Sequence, residues 1–105
     1  MTNNRLVLST AASKEEASKI AHALVERGLA ACVNIIPQVA SVYRWQGKVE
    51  EGQELLLLIK TSADKFEGVS SAILELHSYE VPECISFAID NGSPDYLKWM
   101  AESLE

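Results

Sequence analysis

The order strand, helix, strand, strand, helix, strand, with a closing helix, predicts an α+β fold of the ferredoxin-like, split βαβ class, an antiparallel sheet with two helices on one face. Two observations carry this reading. Two segments repeat apolar residues at helical spacing, each opened by a serine able to cap a helix, while the intervening segments alternate with period two or run continuously apolar. Connections are short, and 105 residues, 48% of them hydrophobic, suit a single domain over residues 1–105.

Residues 5–9 form a short apolar strand around Leu6-Val7-Leu8. Ser13-Lys14-Glu15-Glu16 is a capping box, in which the Ser13 hydroxyl takes a backbone N–H and Glu16 reaches back. Ala17, Ile20, Ala21, Leu24 and Val25 then share one face, and Gly28 falls just past the helix end. His22 lies off that stripe and belongs to the surface.

From residue 30 the period changes. Residues 32–36 read as a strand that Pro37 marks as an edge or a bulge. Val39, Ser41, Tyr43 and Trp45 follow on one side, with Ala40, Val42 and Arg44 on the other. Gln46-Gly47-Lys48 turns the chain, and residues 49–60 run back. The stretch 55–59 is apolar on both faces, so it needs cover on both, whereas the helices of a small domain cover one. A second subunit is the expected cover, with Leu55, Leu57, Trp45 and Trp99 as interface residues. The hairpin over residues 31–61 is longer than the fold requires and offers an edge to a neighbouring sheet.

Ser62 is positioned to cap a second helix with the stripe Phe66, Val69, Ile73 and Leu76. After the loop 77–83, residues 84–90 alternate, with Ile85, Phe87 and Ile89 on one face. Asn91-Gly92 turns, and Ser93-Pro94-Asp95 opens the last helix with proline at its first position.

A net charge of −6, with basic residues scattered along the chain, counts against nucleic acid as a partner. No apolar run has the length of a membrane span or signal core, so a cytoplasmic protein without a membrane partner is expected. Cys32 and Cys84 make no disulfide framework and read as small strand hydrophobes, with soft metal ligation as the alternative.

The chemistry concentrates in His77-Ser78-Tyr79-Glu80-Val81-Pro82-Glu83, where Pro82 stiffens the backbone and holds Val81 extended. His77, Glu80 and Glu83 are the candidate metal ligands, for copper or another divalent cation bound weakly, since neither His-x-His nor Cys-x-x-Cys spacing occurs. The plainer alternative is a helix exit with His77 favourable at the C-terminus. Tyr79, Lys60 and Tyr43 are candidates for a small-ligand cleft. Glu50, Glu51 and Glu54 could hold a hard cation or do acid–base work; the plainer readings are a solvated hairpin tip or pairing with Arg44 and Lys48 across the ladder. No Ser/His/Asp arrangement, glycine-rich phosphate loop or metalloprotease motif stands out, so a binding protein is expected rather than an enzyme. An acylphosphatase-like enzyme would need an arginine in a phosphate-cradling loop, and residues 9–13 hold neither arginine nor glycine.

Several blocks together resemble the CutA divalent-cation-tolerance family. They are residues 28–37 (GLAACVNIIP), 41–51 (SVYRWQGKVEE), Leu58-Ile59-Lys60-Thr61, Tyr79-Glu80-Val81-Pro82-Glu83, and Gly92 with Tyr96-Leu97-Lys98-Trp99. The likeness runs through nearly the whole chain in order. It implies a ferredoxin-like homotrimer with interlocked hairpins, an architecture similar to the PII signalling trimers, and binding of copper or other divalent metals. A small-effector-binding trimer and a structural scaffold are the alternatives. Where the family's usual run is His-Pro-Tyr, Ser78 replaces proline and should leave the backbone around His77 freer. Ser9 removes the option of a first-strand thiol ligand.

Overall fold

In a computed structural model that describes residues 2–104, the chain runs β1 (Asn4–Ala11), α1 (Lys14–Glu26), β2 (Cys32–Trp45), β3 (Lys48–Ser62), α2 (Phe66–Leu76), β4 (Ile85–Ala88) and α3 (Pro94–Ser103). A 3₁₀ turn (Ala63–Lys65) leads into α2. The strands lie in the order β2-β3-β1-β4, all neighbours antiparallel, which is the ferredoxin-like arrangement expected.

Period two decides where the core sits. Val7, Ser9 and Ala11 of β1 stand opposite Ile59, Leu57 and Leu55 of β3. That face meets Ile20 and Leu24 of α1 and Val69 and Ile73 of α2, so the two helical stripes and one sheet face make one core. Val25, assigned to the α1 stripe, lies outside this core and is exposed. The opposite face carries Leu6, Leu8, Leu56 and Leu58, all only half-buried, and ends in the exposed Ile36, Ile85 and Phe87. α3 covers one end of it, where Lys60 Nζ donates to the Tyr96 hydroxyl at 3.2 Å and lies 5.3 Å from the ring centroid.

This corrects two interface assignments. Leu57 is wholly buried in its own chain's core and the partly buried Leu55 packs against that core, so both point away from the open face. A partner on the open face would meet the even-numbered Leu56 and Leu58. Lys60 also belongs to this face and its α3 contact, not to a cleft beside Tyr79.

Local signals account for most boundaries. Ser13 Oγ accepts from the Glu16 N–H at 3.2 Å, and Gly28, with φ at 70°, takes the left-handed position after α1. β2 is an edge strand and is bulged between Ile36 and Val39, so both expectations raised by Pro37 hold. Gln46 and Gly47 have φ of 51° and 80°, the two positive values of a type I′ hairpin turn. Ser62 does not cap α2; its hydroxyl donates to the Asp64 carboxylate at 2.7 Å. β4 stops at Ala88, shorter than its alternation suggests, because it pairs with β1 only over Arg5–Leu8.

Ser9 Oγ is buried with no hydrogen-bond partner among the described residues. An unsatisfied buried hydroxyl costs about 1–3 kcal/mol. Ser9→Ala is therefore expected to stabilise the fold by about 1 kcal/mol. Thermal melting checks this, and a lower melting temperature for Ser9→Ala would show that the hydroxyl has a partner in solution.

Candidate functional site

His77 ends α2, its N–H still bonded to the Ile73 carbonyl at 2.9 Å and its backbone turned extended. The turn carries the ring inward, where the side chain is wholly buried. Nε2 lies 2.5 Å from the Thr10 carbonyl, which can only accept, so Nε2 carries the proton. Nδ1 then accepts from the Tyr79 N–H at 3.1 Å. Glu16 Oε1 also lies 3.1 Å from Nδ1 and accepts from the Ser78 N–H at 3.3 Å. The capping box is thus half realised: Glu16 turns away from Ser13 to the loop. Ser78 does not loosen His77, whose two nitrogens are both engaged.

The Tyr79 ring packs on His77 with centroids 4.5 Å apart, and its hydroxyl donates to Glu54 Oε2 on β3 at 2.7 Å. Burial alone would raise the Glu54 carboxyl. The nearby hydroxyls of Ser41, Tyr79 and Thr10 outweigh it and hold the carboxyl below its ordinary value. Burial, and then the carboxylate of Glu54, push the Tyr79 phenol well above its usual range.

Between the hairpin and this loop lies an open groove of about 720 Å³, lined among others by Tyr43, Trp45, Tyr79, Glu54, Glu80 and Glu83. Among the described residues no lysine, arginine or histidine lines it. Among the described residues the charged pair within bonding distance is Arg27–Glu75, and Glu16 lies beside the neutral His77 ring, so the groove carboxylates have no cationic partner among those residues. The cross-strand pairing of Glu50, Glu51 and Glu54 with Arg44 and Lys48 is likewise not formed among those residues.

The structure therefore brings Tyr43, Tyr79, Glu80 and Glu83 to one groove and leaves Lys60 outside it. His77 stands behind the groove as its support. Among the described residues no three His, Cys, Asp or Glu side chains converge as a metal centre would require. Cys84 is half-buried; burial, with the Glu83 charge, raises its thiol against a bond from Ser70, which disfavours the thiolate a soft metal needs. Cys32 lies on the open face, its Sγ directed at Asn34 Oδ1 at 3.8 Å. Sequence reasoning missed Thr10, Ser41 and Glu16 as supports of the site. Only Glu16 carried a visible signal, the capping-box spacing, and it pointed to another partner.

The sequence profile described as "CutA1 divalent ion tolerance protein" matches residues 5–103. The chain is 50% identical over 98 residues to "Divalent-cation tolerance protein CutA" of Thermus thermophilus, covering 93% of this chain and 95% of that protein. It is 51% identical over 86 residues to "Protein CutA homolog" of Xenopus laevis, covering 82% of this chain but only 57% of that longer protein. The solved structure "Divalent cation tolerance protein (Cut A1)" from Thermus thermophilus superposes with a TM-score of 0.95 at 48% identity, covering 97% of this chain and 99% of that one.

The Tyr79–Glu54 bond has an alkaline signature. A phenol whose folded value is raised keeps its proton while the unfolded chain loses it above about pH 10, so its stabilisation holds at neutral pH and is lost as pH rises. An ultraviolet alkaline titration should contain a late-ionising tyrosine component that Tyr79→Phe removes. A Tyr79→Phe protein that keeps the late component would refute the assignment.

Proposed function

Since the chain belongs to the CutA1 divalent ion tolerance family, we propose that it is a cytoplasmic, cation-responsive homotrimer without enzymatic activity. We further propose that its cations enter the groove between the hairpin and the loop after α2. The observation that carries this reading is the groove's charge: Glu54, Glu80 and Glu83 share it with no basic residue. Glu54 is kept ionised by neutral hydroxyl donors, so its charge is left uncompensated for an incoming cation.

Copper or another divalent ion fits as loosely held cargo, not as a closed centre. Glu80 and Glu83 are available carboxylates at the groove. His77 could join only by giving up the Tyr79 N–H or Glu16. Weak binding follows, because a metal would have to break buried hydrogen bonds before using the imidazole.

Assembly is supported by the open face. Phe87 is 50% exposed, and Trp45 and Trp99 are 42% and 44% exposed, alongside Ile36 and Ile85. So much aromatic and aliphatic surface marks an interaction face. The stoichiometry of three comes from the family resemblance. A cytoplasmic setting agrees with free thiols at Cys32 and Cys84, and among the described residues no helix is long and apolar enough to cross a membrane.

Light scattering should give three times the 11.5 kDa chain mass. Phe87→Glu, on a half-exposed side chain, should keep the fold by circular dichroism and give a smaller species; a wild-type monomer at micromolar concentration would overturn the trimer. In a copper(II) titration, the double change Glu80→Gln, Glu83→Gln should weaken binding about tenfold. His77→Ala should cost about 1–3 kcal/mol of stability, because it strands the buried Thr10 carbonyl. Unchanged copper binding in the double variant would remove the groove carboxylates from the site.

A further inference from the structure

The groove has three properties that a bare metal ion leaves unused. Its volume, about 720 Å³, falls in the range of organic-ligand pockets, about 300–1,000 Å³, and is many times the roughly 30 Å³ share of one water molecule. Its lining includes Tyr43, Trp45 and Tyr79. Its carboxylates share one groove, yet among the described residues they do not converge as a three-ligand metal group.

Separated negative charges in one groove match separated positive charges on one ligand. Aromatic walls between them match ammonium groups, which bind ring faces, and methylenes, which pack on them. The absence of any basic lining residue disfavours phosphates, nucleotides and carboxylates through unscreened like-charge repulsion. Glu54 adds preorganisation. Its carboxylate is already fixed by the Tyr79 hydroxyl at 2.7 Å and lacks an ion-pair partner, so a cation arrives at a charge that needs no rearrangement.

We propose that the groove binds a linear aliphatic polyamine, its ammonium groups on Glu54, Glu80 and Glu83 and its methylenes along Tyr43 and Tyr79. The proposal rests on the reading of the groove as a cation-receiving site and names the class of cation that fits it. Divalent ions then act as competitors for the carboxylates, without using the aromatic walls.

Calorimetric titration of the assembled 105-residue chain tests this with spermidine, 1,4-diaminobutane, the neutral isostere 1,4-butanediol and magnesium chloride. Spermidine should bind at one site per chain, the diamine more weakly and the diol not at all. Glu83→Gln and Tyr43→Leu should each weaken spermidine about tenfold. Glu102→Gln, an exposed acid on α3 away from the groove, removes the same charge and should leave the affinity unchanged. Equal weakening by Glu102→Gln and Glu83→Gln would overturn the proposal, since it would show diffuse attraction to a chain of net charge −6. Binding of magnesium but not spermidine would overturn the polyamine while leaving the cation-receiving reading in place. Binding of neither, with a second copy's side chain filling the groove, would overturn both.

Discussion

The site depends on one buried contact, the His77 imidazole against the Thr10 carbonyl. It ties the exit of α2 to the end of β1, two points 67 residues apart in sequence. The fixed ring holds Tyr79 through its N–H and a stacked contact, and the Tyr79 hydroxyl then reaches Glu54 on β3. Each hydrogen bond alone contributes about 0.5–1.5 kcal/mol net. Because they share atoms and lie partly buried, loss of the ring would unseat the others too. The loop bearing Glu80 and Glu83 is therefore positioned by the core rather than by its own stiffness.

β3 serves three demands. Its odd residues Leu57 and Ile59 fill the chain's core, while its even residues Leu56 and Leu58 face the open side. Farther out, Glu54 shares the parity of the open face and meets Tyr79. The bulge in β2 makes this last contact effective. Ile36 pairs with Leu56 but Val39 pairs with Glu54, one extra residue on β2. Without it, Ala40 and Val42 would take the parity now held by Ser41 and Tyr43, and the Ser41 hydroxyl would face away from Glu54. Pro37 and the positive φ of Gln38 at that point thus belong to the site as much as to the sheet. One strand thus carries both the open face and the groove's Glu54.

The core was legible because each stripe has a period and an environment that agree: Ile20 and Leu24, Val69 and Ile73, Val7 and Ile59. Which residues of β3 face the open side was not, because a strand apolar on both faces does not reveal which face its own helices cover. Choosing Leu55 and Leu57 over Leu56 and Leu58 is an error of parity alone. Lys60 was misplaced for a reason of length. It stands six residues from Glu54 along the strand, about 20 Å at the rise of extended chain, so both cannot sit in one small cleft. The loop 77–83 was legible as a site by composition, yet the inward turn of His77 depends on a carbonyl from β1, which no local pattern encodes.

Ser78 acts on the site through its backbone. A proline there would have no N–H to give. The Ser78 N–H instead holds Glu16 at 3.3 Å, which draws the first turn of α1 onto the loop and sets a carboxylate beside the buried His77 Nδ1. That nitrogen faces the Tyr79 N–H and Glu16 at once, and one hydrogen can lie between it and either partner. In the neutral ring the Tyr79 amide supplies it, and Glu16 is left to the Ser78 amide. Both amides of the turn are thereby used, so the serine closes a network that proline would leave one donor short. The freedom that serine gives the backbone is taken up by a hydrogen bond, and the loop that carries the groove carboxylates is held at α1, β1 and β3 together.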